Sequence, residues 1–182
     1  MIKRIILSLL IIAGVSASGV TATKALLSDQ ATLTANTFST GTVDLKISTS
    51  QALSGGTFVD QKVGFTDKVL PGQTISELLW LKNSSSDVDF AIAAQAASIS
   101  GELNPADVTV AFTPMDDAGT TAVGSTVSHT LDVWVTSPTS LGTPNIIHGD
   151  KQRYKMEVTL ASSVSSAGSI IFDFIFTGTQ TP

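Results

Sequence analysis

The side chains able to do chemistry in this 182-residue chain are few. It has two histidines, His129 and His148, and no cysteine. A catalytic zinc ion takes three protein ligands, and the helical His-Glu-x-x-His motif that supplies two of them with a general base is missing. His129 stands in a strand-like run between Ser128 and Thr130 and is expected to face solvent; His148 precedes Gly149-Asp150 in a turn. Neither is expected to hold metal. The tightest acidic sites, Asp116-Asp117 and Ser28-Asp29, offer oxygens that suit calcium, but no loop of calcium-binding spacing surrounds them, and solvated turns are the expectation. Gly55-Gly56 reads as a turn, with no glycine-rich loop opening a helix to cradle phosphate and no Gly-x-Ser-x-Gly nucleophile elbow. Asn83-Ser84-Ser85 matches a glycosylation sequon. Trp80 and Trp134 read as core or inter-sheet packing, with sugar stacking by Trp134 as the functional alternative. These residues predict no catalytic machinery, no cofactor and no metal.

The elements that hold them read as β-structure. Val43, Leu45 and Ile47 alternate with polar neighbours; so do Tyr154, Met156, Val158 and Leu160, and Ile170, Phe172, Phe174 and Phe176 share one parity. Period-two alternation marks strands with one face buried. Val108, Val110 and Phe112 form a shorter set. Leu131 and Val133 are expected to share one strand face, opposite Asp132 and Trp134. Leu78 to Leu81 and Val88 to Ala94 read as strands covered on both faces or broken by a bulge. Leu70-Pro71-Gly72-Gln73 fits a type II turn, proline presetting φ and glycine accepting a positive one. Thr136 to Pro144 carries two prolines and is expected to be a loop. Gly101 to Asp107 has room for a helical turn around Pro105. Many short strands, regular turns and almost no helix predict one all-β antiparallel sandwich.

The N-terminus is organised differently. Lys3-Arg4 precede an apolar stretch from Ile5 to Val20, and small residues follow. This is the layout of a secretory signal peptide, and its Ser- and Gly-rich second half falls short of the roughly 20 apolar residues a membrane span needs. Cleavage is expected after Ala17 or between Ala25 and Leu26. The second choice removes Lys3, Arg4 and Lys24 but no acid, taking the net charge from −5 to −8. An acidic chain with no basic cluster in its sequence is expected to avoid nucleic acid. Without disulfides, stability must come from core burial or assembly.

Four segments carry a family resemblance. They are Ser28-Asp29 followed by Asn36-Thr37-Phe38 and Gly41-Thr42-Val43-Asp44-Leu45; Leu70-Pro71-Gly72 followed by Leu79-Trp80-Leu81-Lys82-Asn83; Tyr154 to Val158; and Ser169 to Thr177. Together they resemble the TasA/camelysin family of secreted, fibre-forming proteins, with Leu27 where an aromatic is common. Pro-Gly before a strand ending in Asn is weakly specific by itself; the export junction joined to the Gly-Thr-Val-Asp-Leu strand is much more so. The resemblance favours cleavage at Ala25/Leu26 by a SipW-type signal peptidase. It implies a jelly-roll-like sandwich over residues 42–182, behind a signal peptide (1–25) and an N-terminal donor segment (26–41).

The resemblance further implies a structural subunit of biofilm-matrix or pilus-like fibres, secreted or at the cell surface. Its mechanism would be donor-strand complementation: the strand of one subunit, with Leu27, Ala31, Leu33 and Ala35 on one parity, pairs into the next copy, and Val43, Leu45 and Ile47 anchor the connection. The partners implied are further copies of the chain, head to tail, and an accessory fibre protein. In the isolated monomer, Leu26 to Ser39 is expected to fold back on its own domain, since an open strand edge invites aggregation. The alternatives are a monomeric surface sandwich binding a carbohydrate or protein, which calls for exposed aromatics, and a camelysin-like metallopeptidase, which the two histidines do not favour.

Overall fold

Period-two alternation becomes two antiparallel sheets packed face to face. The computed structural model describes residues 28–33 (as backbone), 44–60, 69–85, 88–142, 145–165 and 168–180. The expected signal peptide, the cleavage residues Ala25 and Leu26, and Leu27, Ala35 and Val43 lie outside the described residues.

In chain order the strands are β1 (Ser28–Leu33), β2 (Leu45–Ser48), β3 (Thr74–Asn83), β4 (Phe90–Gly101), β5 (Val108–Met115), β6 (Val127–Thr130), β7 (Thr139–Ser140), β8 (Lys151–Leu160) and β9 (Ile170–Gln180). One sheet runs β1-β9-β4-β7 and the other β2-β3-β8-β5-β6. Every strand pairing is antiparallel. This is the all-β sandwich expected from the alternation.

The core forms where the inward parities meet. Leu45, Ile47, Leu79 and Leu81 come from β2 and β3, Val110 and Phe112 from β5, Phe90 and Ile92 from β4, and Phe174 and Phe176 from β9; all are buried. Phe112 is the hinge of an aromatic cluster, with edge-on contacts to Trp134 at 5.5 Å, Phe174 at 5.0 Å and Phe176 at 5.5 Å. Edge-to-face pairs at such distances add to the area they bury.

The expectation for Leu131 to Trp134 is overturned. The segment is a single helical turn, α1 (Leu131–Trp134), not a strand. Leu131 and Trp134 are both buried while Val133 is 43% exposed. Three residues apart, positions 131 and 134 share a helix face, whereas strand parity would have buried Val133. Trp134 donates its indole N–H to the carbonyl of Val110 at 3.0 Å. It is fully buried, so it offers no surface to a sugar.

The parity of β4 also shifts midway. Its core residues are even-numbered from Phe90 to Ala96, yet Ile99 packs against the core. One extra residue between Ala97 and Ser100, opposite Asp173 and Ile171, forms a bulge, with Ser98 at a φ of 52°. The extra residue resets the parity, which explains the irregular pattern of this strand. The Leu70–Gln73 turn forms as expected, with Gly72 at φ 78° and the Gln73 N–H donating to the Leu70 carbonyl at 2.9 Å. The helical turn near Pro105 is a 3-10 turn, Pro105–Asp107, whose first orphan N–H is taken by the Asn104 side chain. The two-proline loop contributes one short edge pairing, Thr139–Ser140 against Ala93 and Ala94.

The helical reading of 131–134 makes a sharp prediction. Trp134→Ala should cost about 3–5 kcal/mol of unfolding free energy, and Val133→Ala should stay within about 0.5 kcal/mol, by urea denaturation. The reverse order would restore the strand reading.

Candidate functional site: a terminal edge strand and the polar clusters of the sandwich

The first candidate is β1. It lies at the outer edge of its sheet and pairs with β9 of the same chain, in a register running from Ser28 opposite Thr179 to Leu33 opposite Phe174. Position 31 stands opposite Phe176 and position 33 opposite Phe174, the two phenylalanines that β9 turns into the core. The segment from which Leu27, Ala31, Leu33 and Ala35 were singled out is therefore folded back within one chain over its described part. Leu45 and Ile47, expected as anchors, are 1% and 0% exposed on β2, across the sandwich in the other sheet. The structure thus holds β1 and the expected anchor strand β2 in different sheets.

The candidate metal and catalytic residues stay apart. Among the described residues no three His, Cys, Asp or Glu side chains cluster. His129 does not simply face solvent: its ring meets Trp134 edge-on at 5.3 Å and is half-buried. His148 is exposed and contacts Asp89, whose Oδ1 lies 3.2 Å from Nδ1 and accepts the His148 backbone N–H at 2.9 Å. That backbone bond, then the imidazole, hold the Asp89 carboxyl below its ordinary range. Asp116 spends its carboxylate on its own turn, accepting the backbone N–H groups of Thr120 at 2.8 Å and Thr121 at 3.1 Å; these bonds, Thr121 foremost, hold its carboxyl low.

The sequon is structural. Asn83 is fully buried, and its amide donates to the carbonyls of Val88 at 2.7 Å and Ile146 at 2.9 Å. Its Oδ1 accepts the backbone N–H of Ser85 at 3.0 Å and the Ser85 hydroxyl. Both amide hydrogens are committed, so the folded chain presents no acceptor nitrogen. The Asn that ends β3 ties together the start of β4 and the 145–150 loop.

The sequence contains no basic cluster, but the fold makes one, which corrects that reading. All five Lys and Arg of the described residues lie on the outer face of the second sheet. Lys46 on β2, Lys82 on β3 and Lys151 on β8 stand directly opposite one another, and Arg153 and Lys155 follow at every second position of β8. Like charges in one cross-strand row repel; each is compensated differently. Lys46 is held by Asp60 at 2.5 Å and Asp44 at 2.9 Å, and its hydrogen bond to Asp60 above all raises its pKa. Lys82 lies over the Phe58 ring at 5.6 Å and Lys151 over Trp80 at 4.4 Å. Lys155 pairs with Glu157 at 3.1 Å. Register alone collects these residues, which are far apart in sequence.

No large aromatic is among the exposed apolar residues of the described chain, which are Leu53, Leu70, Val123, Val133, Val135, Ile147 and Ile171. Among the described residues no helix is long and apolar enough to cross a membrane. No protein-family model matches this sequence, and no curated protein matches it.

Two measurements check this geometry. Asn83→Ala should destabilise the fold by about 1–3 kcal/mol, because it strands buried carbonyls and the Ser85 N–H. In a carboxyl NMR titration, Asp89 and Asp116 should show midpoints below 3.8, the ordinary value. A lowered folded pKa places their stabilisation above that value and removes it as pH falls through the folded midpoints; midpoints at or above 3.8 would contradict the hydrogen bonds described.

Proposed function

We propose that this protein is a secreted structural subunit that polymerises into extracellular fibres by exchanging its N-terminal strand between copies. The observation that supports this reading is the position of β1: the first described strand of the sandwich, at a sheet edge, held to one described neighbour by six residue pairs. Such a strand can leave its own sheet and enter the equivalent place in another copy without breaking any other connection. The ladder lost in one molecule is regained in the next, so exchange has little net cost once the copies are close. Eleven residues separate Leu33 from Leu45, enough covalent chain to reach about 36–40 Å. A head-to-tail exchange does not close on itself, and it yields a filament.

In this mechanism the donor positions are Leu27, Ala31, Leu33 and Ala35. The Phe174–Phe176 stretch of β9 receives the strand, and Val43, Leu45 and Ile47 fix its root in the domain. The jelly-roll-like connection of the strands, the processing at Ala25/Leu26 and the resemblance to the TasA/camelysin family belong to the same reading. The monomer with β1 on its own β9 is then a self-capped form, its edge covered until another copy supplies a strand.

Negative-stain electron microscopy of the chain from Leu26, beside a chain starting at Gly41, tests the proposal. Filaments are expected from the longer chain alone. Filaments from both chains, or well-folded monomers from both at concentrations far above the micromolar range, would overturn it.

A further inference from the structure

Residues 49–60 cross the outer face of the second sheet as a strap, and its fastenings are mostly polar. The one large apolar side chain of 51–57, Leu53, is 63% exposed and adds little burial. Lys151 donates to the Leu53 carbonyl at 2.7 Å, and Arg153 Nη2 to the Gln51 carbonyl at 3.2 Å and side-chain oxygen at 3.3 Å. Over the indole of Trp80 the strap is bare backbone: a Cβ on Gly55 would lie 3.4 Å from Trp80 Cγ and 2.5 Å from Phe58 Cζ. Gly55 and Gly56 both have positive φ, 79° and 62°. The root is firmer. Ile47 and Val59 exchange backbone hydrogen bonds at 2.7 and 2.9 Å, and Lys46 holds Asp60.

Beneath the closed strap two donors are unmade. Trp80 is fully buried and Arg153 is 2% exposed. The indole N–H of Trp80 and the Nε–H of Arg153 have no hydrogen-bond partner. No ion pair of the described residues includes Arg153; its partners are the Gln51 oxygens and the Asp117 carbonyl at 2.6 Å. A buried donor without a partner, and a cation with neutral partners only, lose hydration that the closed state does not replace. Water can replace each polar bond that fastens the strap. The balance favours opening here far more than in the strand ladders below.

We propose that residues 49–58 open locally, turning on the Ile47–Val59 pair, while both sheets stay intact. The surface uncovered is the Trp80 ring, with Lys151 4.4 Å and Arg153 5.1 Å from its centroid. Opening returns both orphan donors and the Arg153 charge to water and breaks no strand pairing. The strap lies on the second sheet, away from the β1–β9 edge, so its opening does not depend on strand exchange.

The test is hydrogen exchange of the two tryptophan indoles in the full chain, followed by NMR at increasing urea. The chain has two tryptophans. The Trp134 indole is bonded to the Val110 carbonyl in the core and reports on the sandwich; the Trp80 indole reports on the strap. Trp80 should exchange at least about tenfold faster than Trp134, with a shallow urea dependence, because local opening exposes little surface. Lys151→Met, which removes the clasp on Leu53, should speed Trp80 exchange by about fivefold or more and leave Trp134 exchange unchanged. Equal rates for the two indoles, a Trp80 urea slope as steep as that of Trp134, or a Lys151→Met variant that speeds both indoles alike or neither, would each overturn the proposal.

Discussion

The contact between Phe112 and Phe174 holds the two sheets in place. Their rings meet edge-on at 5.0 Å, one from each sheet, and Trp134 closes the cluster from α1 at 5.5 Å from both. A chain without disulfides has to build its stability from such burial. The constraint extends outward. Because Phe174 and Phe176 must face inward, β9 has a fixed parity, and that parity sets the registers of β4 on one side and β1 on the other.

The central strands and the edges consequently have different freedoms. β9 is paired on both sides from Phe174 to Thr179, and β8 is paired on both sides with β3 and β5. These strands cannot move without dismantling a sheet. Among the described strands β1 has one partner, β9. Local opening begins where few contacts must break, so the edge strands, β1 among them, open more readily than β8 or β9. The sheet thus sets β9, paired on two sides, beside an edge strand.

The outer face of the second sheet follows another rule. It holds the fully buried Trp80 and Arg153, although the core lies on the opposite side. The loop over 49–60 covers them: Lys151 donates to the Leu53 carbonyl at 2.7 Å and Arg153 to that of Gln51, and Gly55 packs near Trp80. Cations that would repel across neighbouring strands are separated by aromatic rings and backbone carbonyls instead of by acids alone. The described cations are concentrated on that face, in a chain whose net charge is negative.

The alternation of Leu45 with Ile47, of Tyr154 to Leu160, and of Phe172 to Phe176 determined the strands and their inward faces, because a period of two is a local property of the chain. The type II turn at Pro71-Gly72 and the 3-10 turn at Pro105 were legible for the same reason: proline and glycine restrict φ where they stand. Four other features were not. Whether Leu131 to Trp134 is a strand or a helical turn depends on which side chain the Phe112 cluster accepts, and Trp134 fits where Val133 does not. The parity shift of β4 depends on one residue bulging opposite β9. Asn83 is a buried clasp only because Val88 and Ile146 come to it from distant segments. The row of Lys46, Lys82 and Lys151, with Arg153 and Lys155 following on β8, exists through cross-strand register. Spacing along a chain reports neighbours within one strand; which strands stand side by side, and so which charges meet, is settled by packing over the whole sandwich.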